Sequence, residues 1–451
     1  MVLRIAILGA GISGLALGWF LKKHQSHNID LTILEASSRP GGWIQTISQD
    51  GFLFEQGPRS CRPHGTGIAT LQLIEELGLQ EHILFASPAA RKRYLYINQK
   101  LQCLPTGPIS FLTSPFRNDF LKALWRDWRS PKCGQNDESI HSFISRRLGT
   151  HFAESFFDPL VSGIYAGDIR ELSIQSCFPL LQEWEQNHGS LISGAFTRKS
   201  TKEEHSSFVQ NARRKGIFTL KDGMESLVKT LAHKLKDELR IGSTATHLRI
   251  GNGVTEISLA DGNTITADHL YSTLSPKILA SLLPIKYSNL VKKLETFATT
   301  SVAVVNVGYN HKVLPHEGFG YLIPSKENEE ILGVVWDSSA FPGQNRYPEE
   351  TRLTVMIGGT HMPNFGDLNE NDFKVIALRA LSKHLQIKQN PVSTAIKLAG
   401  NAIPQYVVGH GAKVREIEEE FRNLPAKITF SGNAVHGVSL NDCIKSATSY
   451  I

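Results

Sequence analysis

The sequence predicts an α/β protein built on a Rossmann-like nucleotide-binding sheet, and three observations predict it. Leu3-Arg4-Ile5-Ala6-Ile7-Leu8 is an apolar, β-branched run of the kind that forms a buried strand. Gly9-Ala10-Gly11-Ile12-Ser13-Gly14 follows at once and opens a helical pattern through Ala16, Leu17 and Phe20. Ile29-Asp30-Leu31-Thr32-Ile33-Leu34 then reads as a second strand ending in Glu35. Strand, glycine turn, helix, strand and acid in this order point to a dinucleotide site. Gly9 permits the tight turn, Gly11 lets a pyrophosphate approach the backbone, and Gly14 lets helix and sheet pack closely. The pyrophosphate would sit on the helix N-terminus, among the amides of Gly11, Ile12, Ser13 and Gly14. Glu35 offers acceptors for two ribose hydroxyls. A lone glycine turn is weak evidence, but this one begins at residue 9 in the correct context.

The chain has 451 residues, more than one core usually supports, so two or three domains are expected. The formal charge of +6 suits an anionic ligand or an anionic membrane surface, but no block of charge is dense enough to argue for nucleic acid. Cys61, Cys103, Cys133, Cys177 and Cys443 are an odd set without paired spacing, which reads as reduced thiols and not as a disulfide frame or metal site. The apolar N-terminus contains the cofactor turn, so it is read as neither a signal nor a transit peptide. No apolar run is long enough to predict a spanning helix.

Along the chain, His64 to Gly78 reads as a short helix. Arg91 to Ile97 alternates like a strand, with Asn98-Gln99 as a turn and Leu101 to Leu104 as the return. Between 108 and 210 the pattern is helical. Phe120, Leu121, Leu124, Trp125 and Trp128 mark an amphipathic helix edged by Lys122, Arg126 and Arg129. Two readings stay open: a helix packed on its own domain, or one that meets a membrane or the substrate entrance. In Val161-Ser162-Gly163-Ile164-Tyr165-Ala166-Gly167, two glycines amid apolar residues suggest backbone held close to a helix or a ligand. Thr197 to Lys215 reads as a polar, exposed excursion. Arg240 to Ile250 is strand-like, Asp261-Gly262 marks a hairpin, and Asp268 to Pro276 returns the chain to the nucleotide sheet. Ser301 to Tyr309, Gly318 to Ile323, Ile331 to Trp336 and Leu353 to Ile357 supply a second, mixed or antiparallel sheet. Phe373 to Leu385 is helical, Thr394 to Leu398 a strand, and Lys427 to Phe430 leads through Gly432 to a closing helix.

Glu35-Ala36-Ser37-Ser38-Arg39-Pro40-Gly41-Gly42-Trp43 resembles the second signature of amine oxidase type flavoproteins, and Gly57-Pro58-Arg59 resembles their next FAD-side loop. Ser431 to Asn433 and Gly437 to Cys443 resemble their C-terminal FAD segment. Further motifs resemble the protoporphyrinogen oxidase family: Ser162-Gly163-Ile164-Tyr165-Ala166-Gly167-Asp168, Ser176-Cys177-Phe178-Pro179, Ile403-Pro404-Gln405-Tyr406 and Asn441-Asp442-Cys443. The resemblance implies an FAD-binding domain of the amine oxidase type, a mixed-sheet substrate domain and an inserted, mainly helical domain. The implied boundaries are 1–85, 211–275 and 401–451 for FAD, 86–107 and 276–400 for substrate, and 108–210 for the helical, membrane-associating unit.

The same resemblance assigns residues. FAD contacts fall on Gly9, Gly11, Ile12, Ser13, Gly14, Glu35, Ala36, Arg39, Gly41, Gly42, Trp43, Gly57, Pro58, Arg59, Thr246, Gly432, Val438 and Ser439. Arg93 matches an arginine that holds a propionate, Phe319 and Leu322 an aromatic and aliphatic pair on the ring, and Met356 an apolar residue near the macrocycle. Gly163 matches a glycine whose carbonyl lies near the reactive bridge and is the catalytic candidate. Taken alone, Phe319 reads equally well as core, Met356 reads more readily as core than as a site residue, and Arg93 more readily as a solvated strand arginine. The implied reaction removes six hydrogens from protoporphyrinogen IX through FAD, with molecular oxygen as acceptor and hydrogen peroxide as product, in haem biosynthesis. The implied partners are the porphyrinogen, oxygen, a peripheral membrane surface, a second copy of the chain and a downstream ferrochelatase. The implied location is cytoplasmic, on the inner face of the plasma membrane if bacterial. Rival readings are oxidation of coproporphyrinogen III, an amine oxidase or carotenoid desaturase on the same scaffold, and a non-catalytic flavin or porphyrin carrier.

Overall fold

Five parallel strands form the first sheet of the computed structural model, which describes residues 2–25, 28–134, 136–197 and 205–451. Their spatial order is Lys427–Phe430, His269–Ser272, Leu3–Leu8, Ile29–Glu35, Leu239–Ile241. Leu3–Leu8 sits in the middle, and its last four residues are buried, which is why it reads as a continuous apolar run. On one face Ile5 and Ile7 pack with Leu15 and Leu21 of the helix Ile12–Gln25 and Ile444 of the closing helix Leu440–Ala447. On the other, Ala6 and Leu8 pack with Leu279, Ile417 and Phe421. The hairpin around Asp261-Gly262 belongs to a three-stranded antiparallel ribbon, Ala245–Ile250, Thr255–Leu259 and Thr264–Ala267.

Seven strands form the second sheet, in the order Ser393–Pro404, Thr299–Tyr309, Thr351–Gly358, Ile331–Val335, Gly320–Leu322, Tyr94–Ile97, Lys100–Cys103. It is mixed: Gly320–Leu322 runs parallel to Tyr94–Ile97, and the other pairs are antiparallel. Val305, Val355 and Ile357 pack one face against Phe373, Ala377 and Leu381 of the helix Glu370–Leu385. The opposite face carries Met356, Val302 and Ala399.

The region after residue 108 is helical. Phe143, Ile144, Val161, Tyr165 and Ile174 make its apolar core. Beside it lies an ionic one. Arg147 and Asp127, both fully buried, pair at 2.6 Å, and Arg147 also donates to the carbonyls of Ser130 and Gly189. Arg146 bridges Glu138 at 2.6 Å and Glu185.

The structure settles how one helix faces, where the sequence left two readings open, and three other elements differ from the sequence expectation. The helix Arg117–Arg129 buries Ala123 and Asp127, not its tryptophan edge. Leu121, Leu124, Trp125 and Trp128 face outward, Trp128 with 74% of its surface exposed. A buried ion pair, invisible to an apolar pattern, decides that orientation. Of the expected excursion at 197–215, residues 198–204 lie outside the described residues. Ser207–Lys215 is a helix capped by Ser206, with Val209 and Ala212 buried. Arg240 to Ile250 divides between two sheets at the Gly242-Ser243 turn, whose amides donate to the carbonyls of Ser37 and Glu35. Thr394 to Leu398 extends into one strand that reaches Pro404. No described helix is long and apolar enough to cross a membrane.

Candidate functional site

The carboxyl ends of the parallel strands place Gly9, Glu35, Thr273 and Gly432 around one crevice. Leu3–Leu8 lies between strands reached in opposite directions, the position where open α/β sheets bind ligands. Gly9 has φ +96°, a left-handed conformation that favours glycine. A Cβ at Gly14 would run into the Gly9 carbonyl, whereas a Cβ at Gly11 would meet nothing within 4 Å. Gly14 is therefore a packing glycine and Gly11 fronts an open cradle. Leu15 donates to the Gly11 carbonyl at 3.0 Å, and the amides before it are a helix's first, which have no intrahelical acceptor. No acidic residue stands in that first turn to compete with an anion.

The second signature folds against the first. Gly41 bridges to Gly11, and its amide donates to the Ala10 carbonyl at 2.8 Å. Arg39 donates to the carbonyls of Pro40, Gly42 and Ile44, so its guanidinium staples the double-glycine loop in place. Glu35 accepts from the Ala10 amide at 2.8 Å and from the Ser37 amide and hydroxyl. These bonds use three of the roughly four acceptor sites on a carboxylate. Ala36 and Trp43 are exposed beside this loop. Gly57 lies against the Trp43 carbonyl, too close for a side chain, and Pro58 leads to Arg59. Arg59 pairs with Asp337 at 3.0 Å, while its buried Nη2 has no partner among the described residues. A buried guanidinium nitrogen without an acceptor and an open glycine cradle both fit an anionic dinucleotide.

At the other chain end, Gly432 (φ +102°) follows the last strand. Ser439 caps the closing helix by a reciprocal bond with Asp442, and Val438 packs on the helical core. Thr246 stands apart from this set: its hydroxyl donates to Ser258 within the ribbon, and it is the Gly242-Ser243 turn that bonds Glu35 and Ser37.

The candidate substrate residues sit on the second sheet. Register places Val304, Met356, Gly333, Leu322 and Leu95 in one row across five strands. The helix Asp158–Tyr165 rests on that row through Gly163, where a Cβ would stand 2.9 Å from the Leu322 side chain. Met356 packs with Ala166 and Leu332. Three residues before Leu322, Phe319 lies under the Arg93 guanidinium, 5.5 Å from ring centroid to Cζ. No described carboxylate pairs with Arg93. Burial, helped by nearby Arg62, lowers its pKa from the ordinary value. The structure thus groups Gly163, Leu322 and Met356, with Arg93 and Phe319 as a second pair just before the neighbouring strands Tyr94–Ile97 and Gly320–Leu322.

The end of the Gly163 helix is well determined. Ala166 is left-handed at φ 48°, its amide donates to Ser162, and its carbonyl accepts from Thr360. The Tyr165 carbonyl accepts from Gln405. No described donor meets the Gly163 carbonyl, which lies in the last turn, where carbonyls lose their intrahelical partners.

Two buried acids escaped the sequence reading. Asp158 accepts from the Ser325 amide and hydroxyl, and burial raises its pKa. Glu55 accepts from the Met224 amide at 2.7 Å and the Thr46 hydroxyl at 2.9 Å. Burial pushes it up to about 7. The signal for Glu55 was an acid closing the apolar run Phe52-Leu53-Phe54; Asp158, before Pro159, gave none beyond a helix start.

The model of the flavin containing amine oxidoreductase family matches residues 12–449. Protoporphyrinogen oxidase of Homo sapiens is 36% identical to the chain, covering 98% of it and 96% of that protein. Coproporphyrinogen III oxidase of Bacillus subtilis is 32% identical, covering 98% of the chain and 95% of that protein. A crystal structure of an Exiguobacterium sp. 255-15 protein superposes with a TM-score of 0.85 at 24% identity, covering 100% of this chain and 98% of that one. Reduced UDP-galactopyranose mutase superposes with a TM-score of 0.71 at 15% identity, covering 99% and 92%. The last two likenesses concern the fold.

Proposed function

From the chain's membership of the flavin-containing amine oxidoreductases, and among them of the protoporphyrinogen oxidase family, we propose that it oxidises protoporphyrinogen IX to protoporphyrin IX in haem biosynthesis. The proposal includes FAD as resident cofactor, molecular oxygen as acceptor and hydrogen peroxide as second product. The observation that carries it is the Leu322–Met356 row, roofed by Gly163 and flanked by an arginine that no described carboxylate meets.

FAD, when bound, supplies a hydride acceptor and passes the electrons to oxygen. The chain supplies the rest. The amides of residues 11–14 would hold the pyrophosphate, Arg59 would offer its remaining guanidinium nitrogen to the cofactor, Arg39 keeps the double-glycine loop shaped, and Glu35 would meet a ribose hydroxyl. Arg93 holds a propionate as a fork, steadied on the face of Phe319. Leu322 and Met356 give the macrocycle an apolar wall and exclude water. Gly163 brings bare backbone to that wall, and its carbonyl, which no described donor meets, stabilises the pyrrole proton that becomes acidic as a bridge carbon is oxidised.

The outward edge of the helix Arg117–Arg129 extends the proposal to a peripheral membrane contact. Trp125, Trp128, Leu121 and Leu124 are exposed alongside Lys122, Arg126 and Arg129, and Ile109 on the preceding helix is 82% exposed. Apolar bulk edged with basic charge is the pattern of an interfacial helix.

The Bacillus subtilis relative keeps coproporphyrinogen III as the second reading. Anaerobic stopped-flow mixing of the flavin-loaded protein with each porphyrinogen decides between them. Faster bleaching of flavin absorbance by protoporphyrinogen, with recovery and porphyrin fluorescence in air, is the expected result. Faster bleaching by coproporphyrinogen would move the assignment, and no bleaching by either would overturn it.

A further inference from the structure

Gln405 and Tyr406 join three parts of the molecule just past the end of the strand Ser393–Pro404. Both are buried. The Gln405 amide side chain donates to the Tyr165 carbonyl at 2.8 Å, at the end of the helix that carries Gly163. A Cβ at Gly167 would collide with the Gln405 carbonyl oxygen, so the two surfaces are already in contact. The Tyr406 hydroxyl donates to the Asn433 carbonyl at 2.5 Å and accepts from the Gly437 amide at 2.8 Å. One oxygen thereby closes the loop between Gly432 and Ser439, the C-terminal part of the candidate cofactor site. The Tyr406 carbonyl accepts from the Ser173 amide, and its ring stacks on His410 at 4.0 Å between centroids.

We propose that Gln405 and Tyr406 are positioning residues that couple cofactor binding to the placement of Gly163. A ligand seated on the 432–439 loop fixes the Tyr406 hydroxyl through two bonds. Tyr406 and Gln405 share a peptide plane, so fixing one restricts the other. Gln405 in turn satisfies a buried helix-end carbonyl that has lost its intrahelical donor. The helix end is held at its far side by Thr360, so Gly163 above Leu322 has little freedom once Gln405 is set. The inference rests on the flavin reading above.

Tyr406→Phe keeps the ring stack and removes both hydroxyl bonds; Gln405→Met removes the donor at nearly constant volume. Tyr406→Phe is expected to raise the FAD dissociation constant about tenfold, and to lower the melting temperature of the FAD-loaded protein more than that of the deflavinated protein. Gln405→Met is expected to leave that constant within about twofold and to slow flavin reduction at saturating protoporphyrinogen about tenfold, with KM little changed. Adding FAD to deflavinated wild type should slow hydrogen exchange of the Ala166 amide, and Tyr406→Phe should abolish that slowing even at saturating FAD. Wild-type FAD affinity in Tyr406→Phe, or Ala166 exchange indifferent to FAD in the wild type, would overturn the coupling. So would a fall in deflavinated melting temperature that accounts for every other loss, since that marks a purely architectural role. Wild-type protein that takes up no FAD would overturn the flavin reading itself.

Discussion

Arg93 and Gly11 do opposite things with the same lack of neighbours. Arg93 presents a guanidinium that no described carboxylate meets, and Gly11 presents backbone that no side chain covers. Arg93 is exposed, so it is informative through its place on the face of Phe319 two residues before Leu95 of the apolar row, and Gly11 through the helix's first amides that it leaves uncovered. Arg93→Ala should raise KM about tenfold or more while flavin content stays at the wild-type level, as loss of a charge-assisted hydrogen bond implies. Steady-state kinetics with flavin quantification checks both. Gly11→Val should purify without flavin, because a branched side chain would fill the cradle that a pyrophosphate needs; the visible spectrum is the readout. Glu55 makes a pH prediction. Its pKa rises from 4.5 to about 7 in the fold, so the folded chain binds the more protons between those values. Stability therefore falls as pH rises from about 4.5 and levels off above about 7, by about 3 kcal/mol at most. Glu55→Gln keeps an acceptor for the Met224 amide and removes the titration. Its melting temperature relative to wild type should be higher at pH 8 than at pH 5.

At the scale of elements, the helix Arg117–Arg129 shows what a periodic pattern conveys and what it hides. Its length and amphipathic character were legible, because both are local. Its orientation was not, because the side that packs inward is chosen by Asp127, which pairs with Arg147 twenty residues later and accepts from the Ile192 amide. Replacing Trp125 and Trp128 together by Ala should weaken sedimentation with anionic vesicles about tenfold or more and leave turnover of soluble substrate intact. Equal sedimentation would remove this edge from any membrane role. The glycine turn was legible in detail because strand, turn and helix are contiguous from Leu3 to Gln25. The Arg39 staple was not: the signature suggested a phosphate contact, and the bonds from its guanidinium to three loop carbonyls depend on how the double-glycine loop folds back. Nor was the coupling through Tyr406, whose hydroxyl reaches residues 27 and 31 positions away.

The whole molecule is held by cores of two kinds, and that difference predicts how it comes apart. The parallel sheet is assembled from strands hundreds of residues apart, with Leu3–Leu8 beside His269–Ser272 and that strand beside Lys427–Phe430. Its core is apolar on both faces, so losing any one contact leaves many others. The helical insertion instead rests partly on Arg147, fully buried and held by Asp127 at 2.6 Å, by Glu185 at 3.4 Å and by several carbonyls. Removing one partner of such a pair strands a buried charge and costs about 3–5 kcal/mol. Asp127→Ala should therefore loosen residues 108–197 while the sheet that carries the glycine turn stays folded. The consequences for function follow from where the insertion touches the rest. Phe116 and Phe156 pack on Leu95 and Leu322, and the insertion supplies Gly163. The expected variant retains FAD, turns over porphyrinogen poorly, and is cleaved by protease first within 108–197. Cleavage that begins in the parallel sheet, or flavin lost in step with activity, would show instead that insertion and cofactor sheet unfold as one unit.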